Sequence, residues 1–533
     1  MARRVRSVIG AGRAYRIAGS ARVAADARPR PGRQRIPRPL INRRLPSGRG
    51  AMEQPNATHD GAAALTPTFW LAVAVTGIAT GLLGDAMMAI LFFFEHAAFG
   101  FQHGSFESGV KHASPLRRVL VLVIAGAFGG IAWYLLRRYT NGKKAEVDDA
   151  LWTGTGHLSF RRSLGTSVIS EIVIGMGASL GREAAPKLLG GASGSALAGW
   201  LRLTTAQRRL LVACGAGAGL GAVYNVPLGG ALFTVEILIG SITLPNVLPA
   251  LACSGIATVT AWIYLPNQAT YSDIPSYHSH ARLIVWVLVA GPIIGLLAAA
   301  YLRLIGAISH HKGTGLATLI APLVAFTVLG LIAIAYPQLL GNGKEIAHDV
   351  FLGHATIGLV VALAILKPLV TALCLGSGAA GGLLTPVLSS GAVLGAALGI
   401  AWAQVWPGSP VGAYALIGAA AAIGAAMQAP LTALVLVLEF THTGFDLMIP
   451  MLLATVTATT ITRYIDGYSI YSARLPAHSV SADTAHPAPT HPSIALDVQG
   501  MFEIPPGYRH NRFTTGSSIP PDPRAPIPLA PRG

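Results

Sequence analysis

Apolar positions along the middle of this chain do not alternate with polar ones; they run together. Stretches 68–94, 117–136, 207–223, 283–308, 316–335, 357–375 and 410–440 are nearly free of charge. A helix needs roughly 20 apolar residues to cross a bilayer, and several of these runs are long enough. Others are short, or are interrupted by Gly and Pro. The pattern predicts an all-α polytopic membrane protein whose membrane body covers 67–475. On either side the pattern stops. Residues 1–66 are polar, Arg-rich and Pro-rich, and residues 476–533 are rich in Pro, Ser, Thr and His with no helical period. That C-terminal composition reads as a disordered tail, and neither end shows a second soluble domain.

Composition sharpens this picture. Of 533 residues, 52% are hydrophobic and 11% charged, whereas soluble domains carry about 25% charged residues. The net charge of +17 is mostly an end effect, because residues 1–49 hold fourteen arginines against the single acid Asp26. A nucleic-acid-binding arm would explain it, but a cytoplasmic tail obeying the positive-inside rule, or a chain whose start is Met52, is the expectation. No nucleic-acid partner is therefore expected. The three cysteines, Cys214, Cys253 and Cys374, lie far apart in apolar segments. They read as small core residues rather than a disulfide framework or metal site. No cofactor is expected.

The body repeats itself. "N-V-P-L-G-G-A-L-F-T-V-E" (225–236) echoes "Q-A-P-L-T-A-L-V-L-V-L-E" (428–439), with the prolines, and the final Glu236 and Glu439, each 203 residues apart. Ahead of each copy lies a Gly-rich segment leading to a proline: "G-A-S-L-G-R-E-A-A-P-K-L-L-G-G" (177–191) and "G-S-G-A-A-G-G-L-L-T-P-V-L-S-S-G" (376–391). Paired, Gly/Pro-interrupted segments in two halves of a membrane protein point to a transport site near the midplane.

Each broken segment reads as a loop followed by a helix N-terminus. Glycine lets the backbone leave the helix, and proline suits a first turn. Such an end offers unpaired N–H groups and about half a positive charge, enough to hold an anion. Glu183 stands in the first of them. An acid at the centre of a membrane helix costs about 2.5–3.5 kcal/mol on insertion scales and is a functional candidate by default. Beside an anion site it is a tethered competing anion that occupies the site when ionised and leaves when protonated. Arg182 is expected to pair or to face an interface. Lys187, four residues beyond Glu183, has salt-bridge spacing to it, or adds positive potential to the path.

These residues resemble the CLC family of chloride channels and chloride/proton antiporters, over about residues 81–475. "G-R-E-A-A-P-K" (181–187) is similar to the family's GREGP segment, with Ala184-Ala185 where Gly-Pro is usual; Glu183 matches the gating glutamate. "G-S-G-A-A-G-G-L-L-T-P" (376–386) is similar to GSGxxGGxFxP, so the resemblance implies that the backbone amides of Leu383 and Leu384 bind the anion. "S-I-Y-S-A-R-L" (469–475) resembles the segment of the pore tyrosine, which would be Tyr471. "G-T-G-H-L" (154–158) falls where the family has GSGIP, so Thr155 would supply the inner hydroxyl. The resemblance also implies two inverted-topology repeats with discontinuous helices, and a homodimer with one pore per subunit in the inner (plasma) membrane. Chloride or a similar small monovalent anion would be the substrate, with protons as a second one in the antiporters. Ile237 stands where the antiporters have a proton-carrying glutamate. That favours a channel or an uncoupled carrier, with antiport as the alternative.

Two rivals come from other classes. "G-A-S-G" (191–194) resembles the nucleophile segment of intramembrane serine proteases, with Ser193 as nucleophile and His354 the available base; catalysis would need them on facing elements. A cation-coupled carrier would instead line its site with carboxylates. "G-A-G-A-G-L-G" (215–221) imitates a dinucleotide loop but lies in an apolar run, so close helix packing is expected. Glu171 reads as interfacial without a role, and Lys367 as a structural cation or a source of pore potential.

Overall fold

The computed structural model describes residues 63–475, apart from 141–145, 153, 311–314, 355 and 443–444. The expectations for the Arg-rich N-terminal segment and for the tail beyond 475 lie outside the described residues. α1 (Pro67–Phe99) is followed by the short α2 (Phe106–His112), by α3 (Pro115–Tyr139) and by the single turn and a half of α4 (Val147–Trp152). α5 (Phe160–Gly175) then leads into the first Gly-rich break. Beyond it come α6 (Ala184–Trp200), α7 (Thr205–Tyr224), α8 (Pro227–Leu232) running on into a π-helical turn (Phe233–Ile239), and α9 (Leu244–Ala261). The second half contains α10 (Ala281–His310), α11 (Ala317–Ala335), α12 (Lys344–Phe351) and α13 (Ile357–Gly376). After the second break it continues with α14 (Leu384–Ala403), α15 (Val411–Met427), α16 (Pro430–Thr441) and α17 (Met448–Ile465).

Eight of the described helices are long and apolar enough to cross a membrane. The protein is thus an all-helical, multi-pass membrane protein. The apolar run 410–440 is not one helix. Gln428, at φ 56°, caps α15, and Pro430 starts α16. Its counterpart Asn225, at φ 57°, caps α7 ahead of Pro227 in the same way.

α7 and α15 are buried along almost their whole length, which small residues make possible. At Gly190 and Gly215 the α6 and α7 backbones meet so closely that a Cβ on either would strike the carbonyl group of the other. Gly391 and Gly418 do the same for α14 and α15. The sequence 215–221 is therefore a packing surface, as its setting predicts.

The repeats interlock by reciprocal capping. Glu236, in the first copy, accepts from the N–H of Leu431 (3.2 Å) and of Thr432 (2.6 Å) at the start of α16. Glu439, in the second copy, accepts from the N–H of Leu228 (3.0 Å) and of Gly229 (2.6 Å) at the start of α8. Each carboxylate satisfies the orphan donors of the other repeat's helix. The exchange is symmetric between the two repeats.

Charge gives the orientation. α3, about 37 Å long at 1.5 Å per residue, connects two faces. Its C-terminal end carries Arg137 and Arg138, and the same face holds Arg161 and Arg162 at the start of α5, Arg208 and Arg209 at the start of α7, and Arg463 and Arg474. The opposite face has fewer basic groups, among them Lys111, Arg117 and Lys344. By the positive-inside rule the first face is cytoplasmic.

Candidate anion pathway

The two Gly-rich breaks meet at the centre. Gly181 N–H donates to Gly382 O and Gly382 N–H to Gly181 O, both at 2.7 Å, an isolated antiparallel bridge joining the segments that open α6 and α14. Glycine at both positions leaves the room that the seated Glu183 carboxylate occupies, because a Cβ on either would collide with it. That carboxylate lies in the crossing. Its Oε1 accepts from the Leu384 N–H at 2.8 Å. Its Oε2 accepts from the Tyr224 hydroxyl at 3.0 Å and the Thr385 hydroxyl at 3.1 Å, and those two hydroxyls are 2.6 Å apart. Glu183 is only 4% exposed, so these donors replace water for it.

Two cavities approach this point from opposite faces. The inner one, about 300 Å³, is walled by Glu183, Leu383, Leu384, Lys187, Tyr471 and Asp148, with Arg137, Arg162 and Arg474 toward the cytoplasm. The outer one, about 370 Å³, is lined by Arg182, Glu95, Lys344, Glu345 and His348. Arg182 packs its guanidinium 5.0 Å from the centre of the Tyr224 ring. Glu183 thus belongs to the wall of the inner cavity, and its chain neighbour Arg182 to that of the outer one. Irregular backbone at membrane depth is tolerated beside such a cavity and inside protein.

Most of the residues singled out in the sequence converge here. Glu183, Leu383, Leu384, Lys187 and Tyr471 share one cavity. Thr155 does not join them: it is exposed, in the loop between α4 and α5, and is not on that wall. The loop is pinned further on, with Leu158 N–H bound to Ser195 Oγ at 2.9 Å. Lys187 does not pair with Glu183. Its Nζ binds Asp148 Oδ1 and Oδ2 at 3.2 and 3.1 Å, and lies 4.6 Å from the Tyr471 ring centre. Glu183 is the N-cap of α6 and its carboxylate turns toward α14, away from the helix surface that carries Lys187. Ile237 is buried in the π-helical turn.

Three further residues take definite places. Glu171 is not interfacial but 0% exposed within α5. Lys367 is fully buried and is held by Ser179 Oγ (2.9 Å), Gly341 O (2.8 Å) and Leu339 O (3.2 Å); it ties the first broken segment to the loop before α12. Ser193 donates to Leu189 O in its own helix at 2.8 Å, while His354 is exposed in the loop after α12, on the outer face. No protease geometry forms from them. Sequence reasoning missed Tyr224, Thr385 and Asp148. Thr385 lies inside the quoted segment 376–386 and was legible as a hydroxyl in a helix first turn. Tyr224 and Asp148 have no comparable local signal.

Discontinuous helices from two inverted repeats, meeting end to end around a carboxylate held by amide and hydroxyl donors, define a membrane transport protein for small anions. Comparison with known proteins agrees. The family model described as voltage gated chloride channel matches residues 126–463, and the chain belongs to that family, the CLC proteins. It is 28% identical over 425 residues to the H(+)/Cl(-) exchange transporter ClcA of Yersinia pseudotuberculosis, covering 75% of this chain and 86% of that one. It is 32% identical over 372 residues to a putative chloride channel protein ClcB-like of Ralstonia nicotianae, covering 67% and 85%. Among solved structures, a slow cyanobacterial Cl-/H+ antiporter superposes with a TM-score of 0.68 at 22% identity, covering 76% of this chain and 97% of that one. A CLC-type fluoride/proton antiporter does so with 0.61 at 21%, over the same shares. These two likenesses support the fold.

Proposed function

We propose that the protein exchanges a small monovalent anion, chloride by default, for protons, with Glu183 serving both. The observation that carries this reading is the carboxylate seated on Leu384 N–H, Tyr224 OH and Thr385 OH. Those donors suit a halide equally well, so gate and anion compete for them. Protonation turns the carboxylate into a poorer acceptor and frees the donors. Loading a proton on Glu183 and loading an anion on the site then become linked events. The relatives named H(+)/Cl(-) exchange transporters weigh the same way, while the ClcB-like relative is named a chloride channel protein.

This replaces the preference for an uncoupled pathway drawn from Ile237. That residue cannot carry a proton, but it is not on the inner cavity wall, where Asp148 is. Tyr471 and the amides of Leu383 and Leu384 are assigned to the inner part of the anion site, and the cationic groups Lys187 and Arg182 to the potential on either side. The homodimer belongs to the same proposal. Every group of the site comes from one chain, so each copy would carry a complete pathway.

The test is a flux measurement in proteoliposomes. A chloride gradient is imposed, the voltage is clamped, and chloride and proton movements are recorded together. Proton movement against its gradient, driven by chloride, is the expected result. Chloride flux with no proton movement would restore the uncoupled reading, and absence of anion flux would overturn both.

A further inference from the structure

Exchange needs a proton to reach Glu183 from the cytoplasmic face, and position 237 cannot pass one. The inner cavity contains a group that can. Asp148 stands on α4, 3% exposed, with both carboxylate oxygens on Lys187 Nζ. Lys187 is one helical turn from Glu183 on α6, and all three side chains line the same cavity. A space of about 300 Å³ can hold several waters, which supply the hops that direct contact does not. α4 is also fastened to the turn that bears Ile237, since Trp152 Nε1–H donates to Leu238 O at 2.9 Å. An acid is thus held beside the very element whose own acid is missing.

A buried ion pair is costly to desolvate and is weak evidence of a stabilising role alone. Facing it are the Tyr471 ring, the Arg474–Glu146 pair at 3.0 Å, and Arg137 and Arg162 on the cavity wall. Glu236, on the π-helical turn, is engaged by Leu431 and Thr432.

We propose that Asp148 is the inner proton station of this protein, with Lys187 as its counter-charge; the proposal rests on the exchange reading. A proton from cytoplasmic water binds an Asp148 oxygen, and the ion pair opens with Lys187 still charged. The proton then passes through cavity water to Glu183. Asp148 returns to its carboxylate, the pair re-forms, and the neutral Glu183 gives up its donors to the anion. No other reactant is consumed.

The test compares Asp148→Asn with the unaltered protein in the same liposomes. Expected is persistent chloride flux with the proton-to-chloride ratio reduced at least tenfold, while Asp148→Glu keeps the ratio. Because Asp148→Asn leaves Lys187 unpaired, the double variant Asp148→Asn/Lys187→Met is measured beside it, with the same loss of ratio expected. A normal ratio in either Asn variant overturns the proposal and leaves exchange standing. Proton and chloride flux falling in proportion in both Asn variants would mean a structural pair and also overturns it. An unaltered protein that moves no protons refutes the exchange reading itself.

Discussion

Replacing Glu183 by Gln tests the gate most directly. The side chain keeps its volume but cannot ionise. In the folded protein the carboxylate accepts three hydrogen bonds, at 2.8, 3.0 and 3.1 Å. A hydrogen bond to a charged group is worth about 1.5–3 kcal/mol, against about 1 for a neutral pair. Losing the charge therefore weakens the hold by at least about 0.5 kcal/mol per bond, or about 1.5 kcal/mol over the three. At 1.4 kcal/mol per tenfold, the ratio of seated to displaced gate falls at least roughly tenfold. The sign with pH follows: in the native protein acid protonates Glu183 and opens the path, so anion flux rises as pH falls. Glu183→Gln should be fast at neutral pH and should not change its rate with pH. The assay is chloride efflux from liposomes followed with a chloride electrode at stepped pH. A variant that keeps the native pH slope would refute the reasoning, since another group would then be setting the gate.

Two further outcomes are expected. Gly382→Ala puts a Cβ into the space of the Glu183 carboxylate, so the gate should be displaced. Efflux at neutral pH should rise several-fold and lose most of its pH slope, and a native profile would show that the carboxylate does not rest in the crossing. Glu439→Ala strips the acceptors from Leu228 and Gly229 and should cost about 3 kcal/mol, with Glu439→Gln near half of that. Unfolding in detergent reads the difference, and equal stability of the alanine variant and the native protein would refute the reciprocal cap.

Much of the architecture is visible in the primary structure because its causes are local. Long apolar runs specify membrane helices through the length of the bilayer. Gly-Pro breaks mark where helices begin at membrane depth, and the 203-residue spacing of Glu236 and Glu439 shows the repeat before any contact is known. Other parts were misread for equally local reasons. Lys187 has helical spacing to Glu183, but the N-cap geometry of Glu183 turns its carboxylate elsewhere. Glu171 sits at the margin of an apolar stretch in sequence, yet its helix is enclosed by its neighbours.

The sequence by itself determined the membrane class, the doubled architecture, the two broken segments and the acid between them. Only the tertiary structure decided what that acid touches. Tyr224 and Thr385 are 161 residues apart in the chain, and Asp148 and Lys187 are 39; no periodicity announces such pairs. Their meeting depends on two helix ends crossing at Gly181 and Gly382 and on a short helix folding back beneath them. Side-chain partners inside a membrane protein are set by how whole helices pack, and helix packing is a property of the assembled repeats.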